Sequence, residues 1–145
     1  MGINRSTEYS IRALIYMAMN YSSEIITKDE ICKTQGVTPG FLTKIMQPLL
    51  KAGLVKSFRG AKGGFQLARD PKEVTLYEVV QLIDNVMMLN ACLVGEESCT
   101  RDNVCFMHTI WEEAKESVRD IFKKYTLHEI ARQQVMIYSM KANKA

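Results

Sequence analysis

A tight turn that begins with a glycine separates two helical segments, and two strand-like segments around a glycine-rich turn follow. Thr27 and Glu30 form a capping box that predicts the start of the first helix, and Gly36 predicts its end. Thr38 and Pro39, an N-cap residue and a proline at the first helical position, predict the start of the second helix. This order of elements indicates a helix-turn-helix followed by a β-hairpin, and few folds accommodate it.

The second of these helices is predicted to have one apolar and one polar face. Its apolar residues recur every three to four positions, which is typical of a helix that packs on a core. The polar face carries a lysine, as in a helix that reads DNA, although any helical hairpin on a protein surface shows the same pattern. The candidate DNA-contacting residues of this helix are Thr38, Gly40, Thr43 and Lys44.

A glycine-rich turn joins the two strand-like segments. Residues 54–58 and 65–68 are predicted strands, and the turn at 59–64 contains Arg59 and Lys62 with no acidic residue between them. The turn differs from the phosphate-binding loop of nucleotide enzymes because it lacks the Gly-Lys-Ser/Thr ending and leads into a strand. An ordinary hairpin is the alternative, but the two basic side chains favour a contact with DNA phosphates or a groove.

The charge is distributed unevenly along the chain. Residues 1–72 contain 11 Lys and Arg against 5 Asp and Glu, whereas residues 73–145 contain 8 against 11. A basic front half joined to an acidic back half predicts a nucleic-acid-binding face connected to a part with another role. No window approaches the roughly 18 uninterrupted apolar residues of a membrane span, and the N-terminus lacks a signal-peptide pattern, so we expect a cytoplasmic protein.

Three of the four cysteines lie in a segment without helical periodicity. This cysteine segment, residues 86–108, contains Cys92, Cys99, Cys105 and His108. In a reducing cytosol such cysteines are better candidates for thiolate ligands or buried thiols than for disulfides. Three thiolates and one imidazole suit either zinc or an iron–sulfur cluster, and the spacing alone leaves both open, as well as a segment that binds no metal.

A long helix is predicted to begin where the cysteine segment ends. Cys105 and His108 are three positions apart at this point, so both side chains are expected on one face of the first turn. From Trp111 to Tyr125 apolar residues follow in steps of three and four, a seam of the kind that pairs with another helix. A further capping box predicts a final short helix with a frayed tail. The remaining cysteine, Cys32, is predicted to be a small buried hydrophobic residue.

The chain resembles the Rrf-type winged-helix regulators, and most of all the iron–sulfur cluster regulators among them. It contains, in the family's order, the stretches TEYSIRALIYMA, GFLTKIMQPLLKAGLV, SFRGAKGGFQL and VTLYEVV and then the Cys-Cys-Cys-His segment. The resemblance extends to about residue 134. It implies a homodimer that binds double-stranded operator DNA, a long dimerisation helix, and an iron–sulfur cluster that controls DNA affinity, with 2Fe–2S favoured over 4Fe–4S.

The same resemblance implies roles for individual residues. Arg59 corresponds to a wing residue that reaches bases or backbone. Nitric-oxide sensors of the family take an acidic N-terminal residue as the fourth cluster ligand, and Glu8 occupies a similar place in this chain. His108 is the favoured fourth ligand and Glu8 the alternative. The implied cluster ligands are Cys92, Cys99, Cys105 and His108.

Together these observations predict a mainly α chain with a small β-hairpin wing. The predicted parts are a winged helix-turn-helix domain at 1–85, the cysteine segment at 86–108, and a dimerisation helix with a C-terminal helix at 109–145. The predicted function is cluster-sensing repression of iron–sulfur biogenesis or stress genes; the alternatives are a nitric-oxide-sensing repressor and a regulator with structural zinc. An enzyme or electron carrier is disfavoured, because the sequence has no cofactor fingerprint, no nucleophile motif and only two histidines.

Overall fold

The chain is mainly helical in the part that the computed structural model describes, which is residues 4–22, 25–84, 93 and 104–143. Within these ranges there are six α-helices and one three-stranded sheet. The helices are α1 (Arg5–Met19), α2 (Lys28–Gln35), α3 (Pro39–Lys51), α4 (Leu76–Asp84), α5 (Phe106–Lys124) and α6 (Leu127–Ala142). The strands are β1 (Ile26–Thr27), β2 (Val55–Phe58) and β3 (Gly64–Leu67).

The predicted helix-turn-helix is confirmed, and its ends are capped as the sequence indicates. The Thr27 hydroxyl accepts a hydrogen bond from the Glu30 amide at 3.2 Å, and Gly36 ends α2 in the left-handed conformation with φ of 65°. The Thr38 hydroxyl accepts a hydrogen bond from the amide of the third residue of α3 at 3.3 Å. These caps satisfy backbone groups that helix ends leave without a partner.

The sheet has one strand more than the predicted hairpin. Strands β2 and β3 form the hairpin, and β1 pairs with the other side of β3, so the strand order is β1-β3-β2 with antiparallel neighbours. Ile26 lies opposite Phe65, and Thr27 lies opposite Gly64. The sequence did not indicate β1, because a strand of two residues is too short to show an alternating pattern.

The core forms where α1 packs against the helix-turn-helix, the sheet and α6. Burial of the side chains there makes the main contribution to stability. Each fully buried Leu, Ile, Met or Phe contributes roughly 1.5–3 kcal/mol relative to the same side chain exposed to water. The largest core side chains, each at most 2 % exposed, include Leu14, Met17, Ile31, Leu42, Met46, Leu49 and Phe65.

Backbone hydrogen bonds join the end of α5 and the start of α6 to the chain that leads into α4. The Leu76 amide donates to the Tyr125 carbonyl at 2.9 Å, and the Leu127 amide donates to the Val74 carbonyl at 2.8 Å. From this junction α6 packs along α1. The prediction of a short final helix with a frayed tail is wrong, because α6 has 16 residues and continues to Ala142. Its first turns gain stability from tertiary packing that the sequence pattern does not show.

The division into three parts remains a prediction. The proposed first boundary, between residues 85 and 86, lies one residue beyond Asp84, where α4 ends, and the cysteine segment includes the first turn of α5. None of the described helices is long and apolar enough to cross a membrane.

Candidate nucleic-acid interface and cysteine segment

The N-cap and the outer face of α3 present the four residues that the sequence predicted as DNA contacts. The opposite face is buried in the core through Leu42, Ile45, Met46 and Leu49. Because the two faces of α3 differ in this way, the helix has a single orientation on the domain. The Thr43 hydroxyl donates to a carbonyl of its own helix at 2.9 Å. The exposed candidates are Thr38, Gly40, Thr43 and Lys44.

The wing turn carries its two basic side chains into solvent. Arg59 and Lys62 are both exposed. The turn between them is tight: Gly60 has φ of 107°, and the Gly63 amide donates to the Gly60 carbonyl at 2.9 Å. A positive φ of this size is unfavourable for residues with a side chain, so the glycine is needed for the turn that exposes the two cations.

An acid-free stretch extends well beyond the residues predicted from sequence. Between Glu30 and Asp70 the chain has no Asp or Glu but seven Lys and Arg. Arg69 is paired with Glu78 at 2.5 Å, whereas the other six are exposed. Exposed cations without acidic neighbours in sequence attract phosphates. Three exposed lysines of this stretch were not among the predicted DNA contacts: Lys33, Lys51 and Lys56. The absence of acidic residues between Glu30 and Asp70 is the feature of the sequence that indicates them.

Two of the four predicted metal ligands lie at the start of α5. Cys105 is the N-cap residue, is half-buried, and makes no side-chain cap hydrogen bond. The His108 amide donates to the Cys105 carbonyl at 3.1 Å, and His108 Nε2 lies 3.8 Å from Glu112 Oε1. Cys92 and Cys99 lie outside the described residues. Within the described residues no three His, Cys, Asp or Glu side chains form a group that would hold a metal ion.

Glu8, the alternative ligand, lies in the first turn of α1 and is exposed. Its carboxylate is 3.8 Å from Arg12, four residues further on. The start of α1 adjoins the end of α4, because the side chains of Asn4 and Thr7 both bond to the Asp84 carboxylate. Glu8 therefore lies on the helix end next to the point where the chain enters the cysteine segment.

Cys32 is separate from the cysteine segment in its environment as well as in sequence. It lies in α2 and is 9 % exposed. Burial raises the pKa of its thiol, and the charge of Asp29 adds to the shift. A buried thiol of raised pKa is a poor metal ligand, since the thiolate is the form that binds metals. The prediction that Cys32 is a buried hydrophobic residue is confirmed.

The surface of α5 is incompletely covered by the chain's own described residues. No residue of this helix is buried, and its main contact is with α4. Half of the Ile121 and Tyr125 side-chain surface is exposed, at 50 % each. Large contiguous apolar patches are uncommon on the surface of a monomeric protein. The exposed apolar residues of α5 are Phe106, Met107, Ile110 and Ile121.

A helix-turn-helix with an exposed polar face on its second helix, followed by a basic glycine-rich wing, defines a winged-helix transcription regulator. The family model Rrf2, described as an iron-dependent transcriptional regulator, matches residues 3–133. The chain belongs to the Rrf2 family.

Named relatives and a solved structure agree with this assignment. The regulator NsrR of Bacillus licheniformis is 28% identical over 135 residues, which are 92% of this chain and 94% of the relative. The regulator IscR of Yersinia pseudotuberculosis is 27% identical over 134 residues, 92% of this chain and 81% of the relative. The structure of T. potens IscR has a TM-score of 0.73 at 24% identity and covers 92% of this chain and 88% of its own, so it shares the fold. These relatives are regulators and not enzymes, as the sequence predicted.

Proposed function

We propose that this protein is a homodimeric, DNA-binding repressor that senses an iron–sulfur cluster and controls genes of cluster biogenesis or related stress responses. The observation that carries the proposal is the start of α5, where Cys105 is the N-cap residue and His108 lies one turn further on. The description of the family as iron-dependent and the relatives named IscR support it. The protein acts on DNA and is therefore cytoplasmic.

In this proposal α3 enters the major groove and the wing contacts the DNA beside it. The exposed side chains of Thr38, Thr43 and Lys44, with Gly40 allowing close approach, contact base edges and nearby phosphates. Arg59 and Lys62 hold the wing against the backbone or reach into a groove. The acid-free stretch from residue 31 to residue 69 supports this, because no carboxylate in it repels the phosphates.

The donors of the cysteine segment fit an iron–sulfur cluster. Cys92, Cys99 and Cys105 would supply three thiolates, and His108 would supply an imidazole nitrogen. Because Cys105 stands at the N-cap of α5, the positive end of the helix dipole lies beside it and favours a negatively charged group there. When bound, a cluster supplies a centre that responds to iron supply and oxidants; the resemblance to the iron–sulfur regulators of the family favours 2Fe–2S.

The uncovered apolar surface of α5 supports a homodimer. We assign the partner of α5 as the same helix of a second copy, because the seam from Trp111 to Tyr125 repeats in steps of three and four. Pairing would bury Ile121 and Tyr125, which are half exposed in the single chain. Two recognition helices would then contact two half-sites of one operator.

A nitric-oxide-sensing repressor of the NsrR type is the second candidate. The specific observation in its favour is the contact between Asp84 and the start of α1, which brings the Glu8-bearing turn next to the entry of the cysteine segment. A relative named NsrR at 28% identity also supports it. In that case Glu8 replaces His108 as the fourth ligand. A regulator with structural zinc uses the same thiolates and is the third candidate.

Anaerobic purification tests the proposal against the zinc alternative. We expect a brown protein with visible absorption that contains iron and acid-labile sulfide, because iron–thiolate bonds absorb visible light. A colourless protein with stoichiometric zinc and no sulfide would overturn the cluster proposal. The ratio of iron to sulfide to protein also gives the nuclearity.

The variants His108→Ala and Glu8→Ala decide the fourth ligand. We expect His108→Ala to lose the cluster faster than the wild type under anaerobic chelation, because an imidazole ligand is removed, while Glu8→Ala retains it. His128→Ala, which removes the other histidine of the chain, is the matched control. If Glu8→Ala bleaches and His108→Ala keeps the wild-type spectrum, the NsrR-type assignment replaces ours.

A further inference from the structure

Two hydroxyl groups are the only polar side chains fully buried among the described residues. Thr7 and Ser10 of α1 are each 0 % exposed. They are three positions apart and therefore lie on one face of the helix. A buried hydroxyl is costly unless it is hydrogen-bonded, so the bonds of these two residues account for their presence in the core.

The Thr7 hydroxyl binds the end of α4. It donates to the Asp84 carboxylate at 2.5 Å, and the Asn4 side-chain amide bonds to the same carboxylate. Asn4 is the N-cap residue of α1, accepting a bond from the Thr7 amide at 2.9 Å. Asp84 is the last residue of α4 and precedes Cys92 by eight positions. The start of α1 is thus attached to the residue from which the chain continues into the cysteine segment.

The Ser10 hydroxyl lies against α3. It donates to the Ile45 carbonyl in the middle of that helix, in a long hydrogen bond of 3.4 Å. One residue earlier, the Tyr9 ring meets the Phe41 ring edge to face, with 5.6 Å between the ring centroids. Phe41 lies in the first turn of α3, next to the exposed Gly40. Contacts from α1 therefore hold both the first turn and the middle of α3.

Other hydroxyls on the helices bond differently. Those of Thr34, Thr43 and Ser139 each donate to a carbonyl four residues earlier in their own helix. Such bonds connect nothing beyond the helix itself. The hydroxyls of Thr7 and Ser10 instead bond to α4 and α3. Thr7 and Ser10 therefore connect α1 to other helices, whereas the other hydroxyls only satisfy their own hydrogen-bonding groups.

We propose that Thr7 and Ser10 are positioning residues that couple the cysteine segment to α3. A change in the cysteine segment displaces Asp84, Asp84 displaces the start of α1, and α1 shifts α3 against DNA. The inference rests on the proposed function for the origin of the signal and names the route by which ligand binding changes DNA affinity. Such coupling between two sites typically changes affinity by about 5- to 150-fold.

Operator affinity of cluster-loaded and cluster-free protein tests this route. The probe is a DNA duplex selected from a random library by the wild-type protein, and fluorescence anisotropy gives the ratio of the two dissociation constants. We expect Thr7→Val, which fills the same volume without a hydroxyl, to bring this ratio to within about twofold of one. Thr7→Ser should restore the wild-type ratio, and Thr34→Val, the control, should leave it unchanged. The proposal is overturned if Thr7→Val keeps the same ratio as the wild-type protein. It is also overturned if the ratio of the wild-type protein is itself one.

Amide hydrogen exchange of the cluster-free protein tests the connection itself. In Asp84→Ala we expect the amides of α3 around Leu49 to exchange at least about tenfold faster, while those in the middle of α5 keep their wild-type rates. Unchanged exchange in α3 overturns the connection. If the wild type binds no cluster, the proposed function fails, and this experiment still decides whether Asp84 and α1 hold α3.

Discussion

At the scale of single residues, Gly64 is a position with no room for a side chain. A Cβ at this position would lie 1.9 Å from the Ile26 carbonyl oxygen of the paired strand β1. At Gly63 it would lie 2.5 Å from the Phe58 carbonyl oxygen. Because the neighbouring atoms belong to the backbone, they do not move aside as a flexible side chain does. The close approach of β1 to β3 thus depends on glycine.

We expect Gly64→Ala to lower the free energy of unfolding by about 1–3 kcal/mol, because overpacking forces β1 away from β3. Urea unfolding followed by circular dichroism measures the effect. Gly40→Ala is the matched control, since a Cβ there meets nothing within 4 Å and alanine is the better helix former. Equal stability of Gly64→Ala and the wild type would contradict this account of the wing.

Arg59, which is exposed in the wing turn, is the wing residue that we expect to contribute most to operator recognition. We expect Arg59→Ala to cost about 1–3 kcal/mol on the selected operator and much less on random DNA, because a base contact is lost. Titrations on both duplexes at one salt concentration give the two values. Lys141→Ala removes one positive charge from α6 and controls for net charge. Equal losses on both duplexes would make Arg59 a phosphate contact.

At the scale of elements, α6 is a helix whose start is set by a local sequence signal but whose length is not. Its start follows from the capping box of Thr126 and Glu129, which the sequence indicated and the structure contains. Its length does not follow from the capping box. Leu127 and Ala131 are buried, and most residues of the last three turns are exposed, so the helix has no regular amphipathic pattern along its length.

The capping box gives α6 a pH dependence. Hydrogen bonds from the Thr126 backbone and side chain lower the pKa of Glu129. A lowered pKa contributes stability that is complete above the unfolded-state value of about 4.3 and is lost as the pH falls through the folded-state value. We therefore expect the difference in unfolding free energy between the wild type and Glu129→Gln to be constant near neutrality and to shrink in acid.

Urea unfolding at a series of pH values measures this difference. Glu113→Gln, which removes an exposed carboxylate in the middle of α5, is the matched control. A difference that grows as the pH falls would show that the ionised carboxylate of Glu129 does not stabilise the start of α6.

At the scale of the whole molecule, the proposed dimer would cover the exposed apolar residues of α5. We expect Ile121→Asp to weaken the dimer at least about tenfold, because pairing would bury an unpaired carboxylate. The molar mass of this variant, measured by light scattering after size exclusion, should fall from twice 16.5 kDa toward 16.5 kDa as the protein is diluted. Thr109→Asp places the same charge about 120° around the helix and should leave the dimer intact. Dissociation of both variants alike would exclude the seam as the interface.

The sequence by itself determined the starts of α2 and α3, the turn between them and the two faces of α3. These features depend on residues within four positions of one another: the Thr27 and Thr38 caps, the left-handed Gly36 and the repeat of apolar residues. The spacing of Cys105 and His108 across one helical turn is local in the same way. Such signals are readable without knowing what the element packs against.

Tertiary structure alone decided which distant residues meet. Thr7 and Asp84 are 77 positions apart, and nothing near either residue in sequence indicates their hydrogen bond. The pairing of β1 with β3 likewise depends on a close approach at Gly64, and a strand of two residues has no sequence pattern from which this pairing can be predicted. Long-range contacts form only when the whole core closes, because the entropy lost in bringing distant segments together is recovered by their combined burial.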